Sequence, residues 1–109
     1  SMGSLPVIVL TPVKNEDWIL DRFLSVTQQF ADVIIVADQQ STDNTKAILS
    51  KYDKVVVVNN TNPEYDEAYR QNLLITKARE ICAGKKLLLA LDADEIIAAN
   101  ALQSSFWQS

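Results

Sequence analysis

The sequence has no histidine and a single cysteine, Cys82, among its 109 residues. One cysteine excludes an internal disulfide, and without histidine there is no thiolate and imidazole set for a zinc site. A metal bound by this chain must therefore be held by oxygen ligands. We predict that Cys82 and Trp18 are core residues.

Long hydrophobic runs and an excess of positive charge are missing as well. No apolar run approaches the roughly 20 residues that span a bilayer, and the N-terminus lacks the charged and then apolar pattern of a signal peptide. We therefore expect a soluble, cytoplasmic protein. The formal net charge of −4 opposes contact with a phosphate backbone, so nucleic acid is not expected as a partner.

Glycine is scarce, and one of the two glycines, Gly3, lies among the first four residues. Ser1 precedes Met2, which is typical of an expression-tag remnant, so residues 1–4 are expected to be such a remnant or a disordered start. Residues 5–109 are long enough to bury roughly two-thirds of their extended surface, and no linker divides them. We expect them to form one domain.

Four short, nearly continuous apolar runs alternate with segments of helical spacing. The runs cover residues 5–11, 32–38, 54–59 and 85–92. Such runs are typical of strands that are buried on both faces of a parallel sheet. The alternation predicts a Rossmann-like three-layer α/β sandwich with a parallel four-stranded core sheet and right-handed crossovers.

Four helices are predicted between and after these strands. The first has an acidic entry at Glu16 and Asp17 and an apolar stripe from Ile19 to Phe30. The second covers about residues 43–51, and the third ends at Gly84 in a left-handed conformation. The fourth begins at about Ala98. Residues that are predicted to face the core from these helices include Phe30, Ala47 and Ile81.

Polar residues follow the end of every predicted strand. The residues just past the strand ends are Thr11 and Pro12 after the first, Asp38, Gln39 and Gln40 after the second, Asn59 and Asn60 after the third, and Asp92, Ala93, Asp94 and Glu95 after the fourth. Ligands of open parallel sheets bind beyond these carboxyl ends. The first strand end lacks the glycine patterns of dinucleotide oxidoreductases and P-loop NTPases, which argues against both classes.

The acidic cluster of Asp92, Asp94 and Glu95 is the strongest local signal. Carboxylates this close together repel one another, and a hard divalent cation such as Mg²⁺ or Mn²⁺ relieves that repulsion. Alternatively, the same acids cap the next turn and face water. The short motif by itself leaves both interpretations open.

Asp38 and Arg70 also have two interpretations each. Asp38 can accept a hydrogen bond from a base or a ribose, or it can bind loop amides. Arg70 can hold a diphosphate with its fork of donors, or it can pair with Asp66 four residues earlier on a helix. The residues alone do not decide between these roles.

Four motifs, taken in order, resemble the N-terminal part of the family 2 glycosyltransferases, which have the GT-A fold. They are residues 11–16 (TPVKNE), residues 36–38 (VAD) leading into 41–45 (STDNT), residues 70–72 (RQN) and residues 91–95 (LDADE). Each motif is weak alone, but their order along nearly the whole chain is specific. The resemblance implies a truncated GT-A fold.

The resemblance also implies the site residues and their ligands. Thr11, Pro12, Asn15, Asp38, Arg70, Asp92 and Ala93 would line a pocket for a nucleotide-diphosphate sugar. Asp92 and Asp94 would ligate Mg²⁺ or Mn²⁺. The complete enzyme would transfer the sugar to an acceptor hydroxyl of a glycan or lipid-linked glycan in cell-envelope polysaccharide or lipopolysaccharide synthesis, in the cytoplasm or at the inner face of the membrane.

Three positions depart from the family pattern, and one part of the pattern is missing. Gln40 stands where the family commonly has glycine, Gln39 where it often has a second acid, and Val13 where many members have an aromatic residue. The family's general base follows the Asp-x-Asp strand, yet residues 96–109 contain no Asp or Glu. We therefore name no catalytic residue.

Residues 5–109 are accordingly expected to be the nucleotide-sugar-binding half of a glycosyltransferase domain, inactive alone. The aromatic end at Phe106 and Trp107 is expected to be covered by a second copy of the chain or partly disordered. The alternative is a stand-alone α/β binding or interaction module with solvated acids. A receiver-type signalling domain is disfavoured because Asn59 and Asn60 stand where it requires aspartate.

Overall fold

Strands and helices alternate along the whole chain. The structure, a computed structural model, describes residues 5–14, 17–41 and 43–108. Its elements are β1 (Val7–Val13), α1 (Asp17–Thr27), β2 (Val33–Asp38), α2 (Asp43–Leu49), β3 (Val55–Asn59), α3 (Glu67–Ile81), β4 (Leu87–Ala90) and α4 (Ala93–Gln108). No described helix is long and apolar enough to cross a membrane.

The four strands form one parallel sheet in the order β3-β2-β1-β4. Helices α1, α2 and α4 pack on one face, around Phe23, Leu20 and Val9. Helix α3 covers the other face, where Leu74 and Ala78 meet the sheet. The predicted three-layer α/β architecture with a four-stranded parallel sheet is therefore confirmed.

Helix α1 shows why Trp18 is not a core residue. Leu20, Phe23, Leu24 and Thr27 lie at helical spacing and are buried, so they form the face that packs on the sheet. Trp18 lies off this stripe, and 81% of its surface is exposed. The prediction that Trp18 lies in the core is wrong. The hydrophobic character of a residue does not by itself show whether it lies on the buried or the exposed side of its helix.

Several predicted helix details are also wrong. Ala47 is exposed, and Phe30 and Ile81 are 40% and 41% exposed. Helix α3 ends at Ile81, and Cys82 is its extended cap, whose N–H donates to the Ala78 carbonyl. Gly84 therefore does not terminate the helix in a left-handed conformation.

Helix α4 begins at Ala93, five residues before the predicted start at Ala98. Its first turn carries Asp94 and Glu95, and negative side chains stabilise a helix N-terminus. Asp94 and Glu95 therefore mark the start of α4, a role that the prediction of metal ligands or turn caps did not include. Phe106 and Trp107 lie on α4, but their side chains are outside the described set, so their predicted cover stays a prediction.

Two charged side chains join the start of β1 and the end of α1 to neighbouring segments. The Asp32 carboxylate accepts a hydrogen bond from the Val7 N–H at 2.7 Å, and this bond lowers the pKa of Asp32 below its usual value. The Lys54 ammonium donates to the carbonyls of Gln28 and Ala31 at 2.6 and 2.8 Å. Lys54 thereby binds free carbonyls at the C-terminal end of α1.

A second polar contact joins α1 to the turn after α2. The Tyr52 hydroxyl donates to the Asp21 carboxylate, and Lys51 forms an ion pair with the same carboxylate at 3.0 Å. Burial and the Asp21 charge raise the pKa of Tyr52 to about 12. Tyr52 therefore stays protonated as a donor at physiological pH.

The turn between β2 and α2 contains a strained residue, Gln40, whose φ is 54°. A left-handed conformation costs a non-glycine residue roughly 1–2 kcal/mol, which glycine avoids. We expect Gln40→Gly to raise the free energy of unfolding by about 1 kcal/mol in urea denaturation. In the control, Ala47→Gly in α2 should lower it by about 1 kcal/mol. A loss of stability in Gln40→Gly would contradict the assigned strain.

Candidate functional site

The carboxyl ends of the four strands meet at one edge of the sheet. Val13 at the end of β1 pairs with Asp38 of β2, which in turn pairs with Asn59 of β3. On the other side of β1, the Leu91 N–H donates to the Leu10 carbonyl at 3.0 Å. Asp92 follows immediately, so the last residues of all four strands contribute to this edge.

Thr11 and Pro12 lie within β1. The prediction that they follow the end of the first strand is wrong. The strand continues to Val13 because β2 pairs with it as far as Asp38. Thr11 is fully buried, and its hydroxyl makes a long contact of 3.5 Å with the Pro12 carbonyl. Asn15 lies outside the described residues.

A cavity of about 130 Å³ opens at this edge, on the α3 side of β1 and β2. It brings together three predicted site residues from three distant segments: Pro12 of β1, Arg70 of α3 and Asp92 after β4. The remaining lining residues are Val13, Lys14, Ala37 and Gln39. The topology explains the meeting, because ligand sites of such sheets form where strand order reverses, here between β1 and β4.

Arg70 is half-buried in this cavity and has no carboxylate partner among the described residues. The predicted alternative, a pair with Asp66, is not formed. Asp66 instead accepts a hydrogen bond from the Tyr69 N–H at 3.0 Å and caps α3. The guanidinium carbon of Arg70 lies 5.0 Å from the ring centre of Tyr65.

Asp38 faces the other side of the sheet. Neighbouring side chains of a strand alternate between faces, so Ala37 lines the Arg70 cavity while Asp38 lines a groove of about 530 Å³ beside α2. Asp38 is 3% exposed, and its carboxylate accepts a hydrogen bond from the Ser41 N–H at 3.3 Å. The structure thus gives Asp38 a loop amide as its partner and does not bring it to Arg70.

The acidic cluster lies at the N-terminus of α4. The Asp92 carbonyl accepts the Ile96 N–H at 3.2 Å, and the side chains of Asp92, Asp94 and Glu95 are exposed. Ala93 is fully buried in the core. The described residues contain no group of three or more His, Cys, Asp or Glu placed to hold a metal ion, and the ligation of a metal by Asp92 and Asp94 stays a prediction.

The order of these motifs agrees with a comparison against known protein families. The model of glycosyl transferase family 2 matches residues 8–105, which include all of the sheet except Val7 and all residues that line the cavity. The chain belongs to glycosyltransferase family 2. A search of curated proteins gave no significant match. The predicted resemblance is thereby confirmed, and a glycosyltransferase-like function follows from it.

Two residues of this glycosyltransferase cavity had no assigned role in the sequence analysis. Gln39 lines the cavity and had been noted only as a departure from the family pattern. Tyr65, five residues before Arg70, holds the guanidinium but precedes the helix in a polar loop. The position of Gln39, a polar residue directly after β2, was a sequence signal for a site residue. No local pattern of residues indicated a role for Tyr65.

Proposed function

We propose that this chain is the nucleotide-sugar-binding part of a family 2 glycosyltransferase, with a divalent metal held at Asp92 and Asp94. The complete enzyme would transfer the sugar from a nucleoside diphosphate to an acceptor hydroxyl. One observation carries the proposal: Arg70 and Asp92 line the same small cavity without forming an ion pair.

Two opposite charges that line one cavity without forming an ion pair favour a ligand that carries both positive and negative charge. Arg70 can donate two parallel hydrogen bonds to phosphate oxygens, and Asp92 can accept a cation. The cavity of about 130 Å³ is smaller than the roughly 300–1,000 Å³ of ordinary small-molecule pockets, which suits a phosphate group better than a whole nucleotide. A diphosphate with a bound divalent cation meets both requirements.

The donor set at Asp92 and Asp94 fits Mg²⁺ or Mn²⁺. These cations prefer oxygen ligands, and Mg²⁺ is usually bound by one or two carboxylates together with substrate phosphates and water. When bound, such a metal stabilises the negative charge that develops on the leaving diphosphate. Both carboxylates are exposed; Asp92 lines the cavity, and Asp94 follows it by two residues in the first turn of α4.

Arg70, which lines the same cavity as Asp92, would also stabilise the negative charge that develops on the leaving diphosphate. Its guanidinium is permanently protonated, and a fixed donor stabilises an oxyanion most where charge grows during the reaction. The acceptor, expected to be a glycan or lipid-linked glycan of the cell envelope, belongs to the same proposal and rests on the family alone.

Calorimetry with UDP, GDP and CDP, each with and without Mn²⁺, tests this function. We expect one nucleotide to bind at least about tenfold more tightly with Mn²⁺, because the metal links its phosphates to Asp92 and Asp94. Asp94→Asn should remove that difference. Asp53→Asn, an exposed acid in the turn before β3, is the matched control and should keep it.

Two outcomes would contradict the proposal. Equal affinity with and without Mn²⁺ would exclude the metal role. Binding of no nucleotide at all would favour the alternative of an α/β interaction module whose acids only stabilise the start of α4.

A further inference from the structure

The Arg70 side chain needs a device that holds it in place. Arginine has four rotatable side-chain bonds, and an unpaired guanidinium in a cavity samples several rotamers. The backbone of Arg70 is fixed in the first turns of α3, where its N–H donates to the Asp66 carbonyl at 3.1 Å. Helix geometry alone does not determine where the guanidinium lies.

Tyr65 provides the contact to this guanidinium. The guanidinium carbon lies 5.0 Å from the Tyr65 ring centre, within cation–π distance. One terminal nitrogen of Arg70 also donates a long hydrogen bond of 3.4 Å to the Tyr65 hydroxyl. Tyr65 itself is 70% exposed, so surrounding core residues do not hold its ring.

The loop before Tyr65 is tied to the end of β2 by Gln39. The buried Gln39 amide donates to the carbonyls of Asn62 and Glu64 at 3.1 and 3.4 Å. Within the loop, the Asn60 and Asn62 side chains accept the N–H groups of Asn62 and Glu64 at 3.0 and 3.1 Å. These turns and the Gln39 bonds determine the position of the residue that follows them, Tyr65.

We propose that Gln39 and Tyr65 are positioning residues that hold Arg70 at the phosphate cavity. This inference rests on the proposed function for its ligand. Gln39 holds the loop and the loop places Tyr65, whose ring then supports the guanidinium.

The neutral amide of Gln39 has a second consequence. A carboxylate at position 39 cannot donate to the carbonyls of Asn62 and Glu64, and its charge would face two carbonyl oxygens. Because Gln39 also lines the cavity, a carboxylate there would attract Arg70 and compete with a phosphate. The Gln39 amide therefore holds the loop through its two hydrogen bonds, and because it is neutral it does not compete with a phosphate for the Arg70 guanidinium.

The test combines a ligand-free and a ligand-bound measurement. In the free protein, the Nε–Hε signal of Arg70 reports whether its side chain is ordered on the picosecond to nanosecond timescale. The chain has only three arginines, Arg22, Arg70 and Arg79, and the signal missing in Arg70→Lys assigns the resonance. Calorimetry with UDP and Mn²⁺ then measures affinity.

We expect Tyr65→Leu to lose the ordered Arg70 signal and to weaken UDP binding about three- to fivefold. Tyr65→Phe keeps the ring and should restore both to within about twofold, since only the long hydroxyl bond is lost. Gln39→Glu should disorder the loop and weaken UDP binding at least about tenfold. Tyr69→Leu, also an exposed tyrosine of this region, is the control and should change neither measurement.

Two results would overturn the inference: an Arg70 signal that stays ordered in Tyr65→Leu, or an equal loss in Tyr69→Leu. The two proposals fail in different measurements. If no nucleotide binds, the proposed function fails, whereas the Arg70 signal of the free protein still decides whether Tyr65 positions the side chain.

Discussion

Replacing Arg70 with glutamine is expected to weaken UDP binding in the presence of Mn²⁺ by about 10- to 100-fold. Hydrogen bonds to charged groups contribute about 1.5–3 kcal/mol, and each 1.4 kcal/mol is a factor of ten in affinity. Arg70 has no carboxylate partner among the described residues, so its removal leaves no unpaired acid behind. The loss therefore reports directly on the contact with the ligand.

Arg70→Lys separates the charge of the side chain from its geometry. Lysine keeps the positive charge but lacks the planar fork that binds two phosphate oxygens. We expect its affinity to fall between those of the original protein and Arg70→Gln. Arg79→Gln, an exposed arginine at the other end of α3, is the matched control. An equal loss in both glutamine variants would indicate a general charge effect and contradict a phosphate contact.

Replacing Phe23 with alanine is expected to lower the free energy of unfolding by about 3–5 kcal/mol. Phe23 is fully buried between α1 and the sheet, in the larger of the two core clusters. Truncation removes the ring and leaves a cavity that neighbouring side chains on three helices and the sheet can fill only partly. Urea denaturation followed by circular dichroism measures the change.

Trp18→Ala is the control for this prediction. Trp18 lies on the same helix but is 81% exposed, so its removal should change the free energy of unfolding by less than about 0.5 kcal/mol. A loss comparable to that of Phe23→Ala would show that Trp18 is packed in solution, and it would contradict the orientation of α1.

The two aromatic residues also show how much of the fold the sequence could predict. Apolar runs such as residues 33–38 lie between helical faces on both sides of the sheet, so their hydrophobicity alone predicted the strands. The class of the fold and its parallel sheet followed from the alternation of elements, whereas the strand order β3-β2-β1-β4 was not predicted. Trp18 and Ile81 were wrongly predicted to lie in the core, because neighbouring positions of a helix can lie on its buried and its exposed side.

The candidate site was predicted less completely. Asp92, which lines the cavity, could be named because acids directly after a buried strand are chemically unusual, and Arg70 could be named because it belongs to one of the four ordered motifs. Tyr65 was not found, since its role depends on a loop that folds back to Gln39 across 23 and 25 residues of sequence. Contacts of this kind are formed by long-range hydrogen bonds, which no local pattern of residues encodes.

The sequence by itself determined the elements, the acidic charge at the end of β4 and the membership of a glycosyltransferase family. Only the tertiary structure decided which strand-end residues share a cavity. Val13 pairs with Asp38, and this register places Ala37 on the α3 face and Asp38 on the α2 face. Because a shift of one residue would exchange these faces, the pairing of β1 with β2 keeps Asp38 out of the cavity that Arg70 and Asp92 share.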